Sequence, residues 1–178
     1  MAAAWKTGID REEQVADPLL RQIFAYWQDK AAGRGALPGR RDIDPVDLAG
    51  ILPAISLIEV RRDGANRAGR LRYRVVGSLH VEIMGHDATG EMIDLGSAED
   101  GAAAAAVATG QPVHEQRTFS PANGVALTFE SLICPLAADG KTVDMLLCAV
   151  APHYRKDDLP VARVNRFARA ALETISRR

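Results

Sequence analysis

The stretch from Val113 to Ala151 constrains this chain most tightly. Three runs, Val113–Phe119, Val125–Leu136 and Thr142–Ala151, are joined by segments that carry Asn123-Gly124 and Asp139-Gly140. Both dipeptides tolerate the positive φ values of a tight hairpin corner, so the three runs read as one antiparallel meander. A turn at Asn123-Gly124 sets Arg117 across from Glu130, or diagonal to it if the loop is longer. A turn at Asp139-Gly140 sets Cys134 opposite Met145 and Cys148 opposite Ser131. That register keeps the two sulfurs apart, and two reduced, buried thiols are expected. Leu127, Phe129, Ser131, Leu146 and Cys148 then share one sheet face, with His114 at its border.

The first half mixes periods. Asp17-Pro18 reads as a helix N-cap and first position, followed by Leu20, Ile23, Phe24 and Trp27 at helical spacing and closed by Gly33. Residues 1–16 are polar and read as a flexible N-terminus. A short second helix is expected from Asp44-Pro45 to Gly50, within a helical extension over 17–53. Ser56–Arg61 and Arg70–Val76 read as strands flanking the turn cluster Asp63-Gly64-Ala65-Asn66. A helical patch at Leu79–Met84, an irregular Gly85–Gly90 and an alanine-rich helix over Ala98–Thr109 precede the meander. Asp158–Arg178 carries Val164, Phe167, Leu172 and Ile175 at helical spacing. The expected fold is α+β: a core over 54–152 with a five-stranded antiparallel sheet and helices mainly on one face, plus flanking N- and C-terminal helices.

Composition narrows the class. At 178 residues and 47% hydrophobic content, one core is expected. A net charge of −1 gives no general pull toward nucleic acid or anionic membrane. No apolar run reaches the ~20 residues of a spanning helix. Met1–Asp10 lacks the apolar stretch of a signal peptide, so a cytoplasmic location is expected.

Several segments together carry a family resemblance. They are Asp42-Ile43-Asp44-Pro45, Leu52-Pro53, Arg72-Tyr73-Arg74-Val75-Val76-Gly77, the stretch Gly85-His86-Asp87-Ala88-Thr89-Gly90, and Glu130 to Leu136 with the Asp139-Gly140 turn. In order and spacing they resemble a PAS domain, and more narrowly a bacterial group of short stand-alone PAS proteins. The resemblance spans about Pro18 to Ala151. It implies a sensory or interaction module and not an enzyme. With no kinase, cyclase or DNA-binding segment in the sequence, output in trans through a signalling protein partner is expected, and an enzyme of unrecognised type is the alternative from another class. Its cofactor motifs are missing: no Asn-Cys-Arg-Phe segment of flavin photosensors, and no histidine on Ala98–Thr109 for haem. A small organic ligand stays open.

Candidate sites follow. A ligand pocket would draw on Leu127, Phe129, Ser131, Cys148 and His114, with Tyr73 from the second strand and His80 and Ile83 from the short helix. The same set also describes an ordinary filled core with satisfied polar groups. Glu130, a carboxylate in an apolar run, needs a partner, and Arg117 is the expected one. Leu20, Ile23, Phe24 and Trp27 form a stripe too apolar for water, which suggests a homodimer interface or a cap on the chain's own sheet. The four histidines lack metal-ligand spacing. Arg61, Arg62, Arg70, Arg72 and Arg74 read as a solvated face holding carboxylates such as Glu59, or as a patch for a partner. Nucleic acid is not expected there, because stacking aromatics are absent.

Overall fold

A computed structural model describes residues 4–7, 14–63, 68–95, 101–119 and 127–153. Its seven strands are β1 (Ala4–Thr7), β2 (Ile55–Arg62), β3 (Ala68–Val75), β4 (Met92–Asp94), β5 (Val113–Phe119), β6 (Leu127–Leu136) and β7 (Met145–His153). They form one sheet in the order β1-β5-β6-β7-β2-β3-β4, with antiparallel pairing throughout. Three helices accompany it: α1 (Pro18–Arg34), α2 (Ser78–Met84) and α3 (Gly101–Thr109).

The expected α+β class and antiparallel sheet are present, but the sheet has seven strands rather than five. The additions are its two edges, β1 and β4, of four and three residues. Segments so short carry too little alternation to announce themselves. Pairing with β5 and β3 supplies the backbone partners that make them strands. Residues 4–7 thus belong to the sheet, although residues 1–16 read as a flexible stretch.

Helices lie on both faces, not mainly on one. α1 packs Leu20, Ile23, Phe24 and Trp27 onto a core with Leu132, Cys134, Leu147 and Ala149. On the opposite face α3 sets Ala102, Ala103 and Ala106 against Val113, Ile133, Leu146 and Cys148. Residues 130–137 are consequently buried without a break. A strand sandwiched between two layers shows a continuous apolar run and not an alternating one.

α1 begins as its sequence predicts. Asp17 Oδ1 accepts the amides of Leu19 and Leu20 at 2.8 and 3.2 Å. The helix ends at Gly35, at φ 67°, two residues beyond the glycine expected to close it. Phe24 and Trp27 stack with centroids 6.4 Å apart, and the Trp27 indole N–H donates to the Pro135 carbonyl at 2.9 Å. The stripe proposed as a homodimer interface is therefore spent on the chain's own sheet. Residues 45–50 form i→i+3 turns in place of the expected second helix, and these tuck Leu48 and Ile51 under α1. The expected helix over Asp158–Arg178 lies outside the described residues, as do Glu99 and Asp100 ahead of α3. Among the described residues no helix is long and apolar enough to cross a membrane.

Candidate functional site

Register decides which polar side chains meet. β5 and β6 pair Gln116 with Glu130 and Arg117 with Phe129, one residue away from the register that Asn123-Gly124 predicts. Side chains alternate, so a one-residue offset sends Arg117 to the face opposite Glu130. The predicted Arg117–Glu130 pair does not exist. Instead Arg117 Nε donates to Glu115 Oε2 at 2.9 Å, and the Ser131 hydroxyl donates to Glu115 Oε1 at 3.0 Å. Glu115 is buried on the α3 face and was not singled out in the sequence. The signal was present, since Glu115 and Arg117 stand two apart in a strand and must share a face.

Glu130 lies on the α1 face between two imidazoles. His114 Nε2 reaches its Oε2 at 2.9 Å and His153 Nε2 its Oε1 at 2.8 Å. A carboxylate accepts, so both rings carry their proton on Nε2. Burial alone would push the Glu130 carboxyl up, but the two N–H bonds outweigh it and hold it below the ordinary range. His114, expected at the border of the pocket, belongs to this opposite face. His153 reaches the cluster from the end of β7, beside Ala151, the register partner of Glu130.

The second hairpin is offset from expectation by two residues. Cys134 pairs with Leu147 and Ser131 with Val150. An offset of two preserves every face, so Ser131, Phe129 and Cys148 stay together on the α3 side. Both cysteines are buried and unpaired, Cys134 in the α1-side core and Cys148 in the α3-side core. Burial pushes both thiols up, Cys148 further through the charge of Glu115.

The remaining pocket candidates gather around α2. Ser56 on β2 is wholly buried, accepts the Gly77 amide at 3.1 Å and stands 2.6 Å from His80 Nδ1. The hydroxyl, one donor with two acceptor lone pairs, can serve both the Gly77 amide and the imidazole Nδ1 at once. Burial drives His80 down to about 4, so the ring is neutral at pH 7. Gly77 is required at this corner, because a Cβ would strike the Pro53 carbonyl and lie 2.6 Å from that of Ile55. Ile83 is buried on α2, and Tyr73 packs against the α3-side core. Leu127 lies in β6, but its side chain is outside the described residues.

The four histidines are thus not scattered polar residues: three have buried polar partners, and His86 meets Glu91 at 3.2 Å. Among the described residues no three His, Cys, Asp or Glu side chains group as metal ligands. Around β3, Glu59 holds Arg61 at 2.9 Å and approaches Arg74 at 3.5 Å, as expected for a solvated basic face. Arg61 and Arg74 depress its carboxyl, hydrogen bonding to Arg61 most.

An antiparallel sheet with helices on both faces and paired polar groups within it defines a small α+β domain. A family model described as PAS domain matches residues 15–151, and the chain belongs to the PAS domain family. The structure of an RNA-binding Light-Oxygen-Voltage receptor is similar at 12% identity and a TM-score of 0.43, over 98% of this chain and 43% of that one. The chain therefore spans less than half the length of that receptor. No curated protein matches the sequence.

Proposed function

We propose that the chain is a non-catalytic sensory module that binds a signalling protein and changes that protein's output. Membership of the PAS family over residues 15–151 carries this reading. The chemistry of the buried groups supports it. The hydroxyl–imidazole pair Ser56–His80 resembles a nucleophile and its base, yet Ser56 is fully enclosed and its oxygen is committed twice. Glu115 and Glu130 each spend both oxygens on neighbouring side chains. Groups engaged in this way suit a bracing role, which supports the non-catalytic reading.

A second reading, a small-metabolite binder, draws on His80. Its Nδ1 is used by Ser56, while Nε2 makes no hydrogen bond among the described residues. Haem and flavin stay outside this reading, since α3 carries no histidine and both cysteines lie on strands.

Native mass spectrometry of the chain purified from its own cells tests both readings. A recurring protein complex, with a partner whose activity changes when the chain is deleted, is the expected result. A bound small molecule without a protein partner would replace the first reading by the second. Turnover of a substrate that is lost in Ser56→Ala would overturn the non-catalytic assignment.

A further inference from the structure

α1 covers β6, β7 and the start of β2, and among the described residues no helix packs on the same face of β3 and β4. Four guanidinium groups emerge there, from Arg61, Arg70, Arg72 and Arg74, against two carboxylates, Glu59 and Asp94. The register interleaves them: Arg72 stands between Glu59 and Met92, and Arg70 between Arg61 and Asp94. β3 bulges at Arg74, because Leu57 pairs with Val75 while Ile58 pairs with Tyr73. The bulge turns Val75 to this face, instead of leaving it with Leu71 and Tyr73 as strict alternation predicts. Val75 and Met92 are both exposed large apolar side chains.

The charges are poorly matched within the chain. Glu59 Oε1 accepts from Arg61, while the buried Oε2 accepts no hydrogen bond among the described residues and has only a long ion pair there, to Arg74 at 3.5 Å. Arg70 holds only the well-exposed Asp94, at 3.1 Å. Arg72, half-buried at the centre, faces Glu59 across the ladder and acts on it through charge, with no hydrogen bond among the described residues. Exposed pairs of this kind exchange readily for an incoming carboxylate.

Three occupants fit badly. Residues 158–178 carry five arginines against Asp158 and Glu173, the same sign as the patch. A second copy seated across a two-fold axis would set the arginines against themselves. Single-stranded nucleic acid calls for stacking aromatics, and the large apolar groups here are Val75 and Met92. An acidic helix fits. Arg70 and Arg72 are two strand residues apart, about 6.8 Å, close to the ~6 Å between carboxylates four residues apart on a helix.

We propose that this face docks an acidic amphipathic helix of a partner protein, with carboxylates on Arg70, Arg72 and Arg74 and an apolar edge on Val75 and Met92. The proposal rests on the reading of the chain as a partner-binding module.

The test uses the full chain and a fluorescent, lactam-stapled helical peptide with glutamates four residues apart beside leucines. A second peptide carries glutamine in their place. Anisotropy should show binding of the glutamate peptide that weakens markedly between about 50 and about 300 mM NaCl. The glutamine peptide, and the Arg72→Glu variant with the glutamate peptide, should each bind about tenfold more weakly. If Arg72→Glu fails to fold, Arg72→Gln with an unaltered melting curve should still lose about fivefold. Amide shifts should fall on Arg70–Val75 and Met92–Asp94. Equal binding of the two peptides, wild-type affinity in Arg72→Gln, or tighter binding to phosphatidylserine vesicles or single-stranded DNA would overturn the proposal. Shifts confined to β5–β6 or α1 would overturn this surface and leave the partner-binding reading intact. That reading fails separately, if no cellular protein complex is found.

Discussion

The two faces of the sheet handle histidine in opposite ways. On the α3 side, His80 is kept neutral by burial and shares a hydrogen bond with the Ser56 hydroxyl. On the α1 side, His114 and His153 donate to a buried carboxylate. Protonating His80 would charge a desolvated ring, whereas His114 and His153 face a carboxylate. The same residue type therefore meets a hydroxyl on one face and a carboxylate on the other. Neighbours and burial decide this, and neither can be read from the histidine itself.

The comparison breaks most visibly at its carboxylate. Glu130→Ala removes both imidazole bonds inside a buried site and should cost roughly 3–5 kcal/mol at pH 7, measured by urea unfolding. Glu130→Gln, keeping one acceptor oxygen, should cost clearly less. Equal losses in the two variants would show that packing, not the paired bonds, is what Glu130 supplies.

Acid titration sharpens the contrast next. The folded pKa of His80, about 4, lies below its ordinary 6.5, so between those values the unfolded chain takes up a proton that the folded chain refuses. Stability from this ring is complete above pH 6.5 and falls as pH drops toward 4, by up to about 3 kcal/mol. Glu130 acts in a lower window. Its depressed carboxyl stabilises above the ordinary carboxylate range and loses that contribution as pH falls through its folded value. Unfolding followed across pH should show two separate losses, and His80→Gln should flatten only the upper one.

Two smaller effects complete the contrast. Ser56→Ala, which strips the partner from His80 Nδ1 and from the Gly77 amide, should cost about 1–2 kcal/mol. A double-mutant cycle on Glu115 and Arg117 should give a coupling of roughly 0.5–1 kcal/mol, reduced because Arg117 is partly exposed. The corresponding cycle on Glu130 and Arg117 should be additive, and coupling there would contradict the observed register.

Long elements with strong punctuation were legible in the sequence. Asp17-Pro18 marked the start of α1, and the five longer strands fall where apolar runs meet turn signals. Pairing offsets were not. Asn123-Gly124 predicted the first hairpin one residue out of register, enough to exchange Arg117 for Gln116 opposite Glu130, and this moved every candidate pair on β5 to the wrong face. The second hairpin was two residues out, and each face assignment survived. His114 was lost from the pocket set by the first error, while Ser131 and Cys148 were kept together because the second was even. The α1 stripe was recognised as apolar, but its partner was the chain's own sheet. Nothing local to Leu20 or Phe24 distinguishes those two fates.

The strand order has a kinetic meaning. β7 lies between β6, its immediate predecessor, and β2, which was laid down long before it. Ile55 pairs with Ala149, so the seam between the two halves of the sheet closes across more than half of the chain. Contacts so distant in sequence are entropically late, and hairpins β2–β3 and β5–β6–β7 are each free to form sooner. During synthesis the inner edge of β2 must stay unpaired until β7 leaves the ribosome, presenting open amides and carbonyls to any other nascent strand. The β2–β7 seam, with the β1–β5 edge, joins the most distant stretches of chain, and topology makes such pairings late. Substitutions along Ile55–Leu57 and Leu147–Ala149 will therefore govern how much chain is captured by aggregation before the sheet closes.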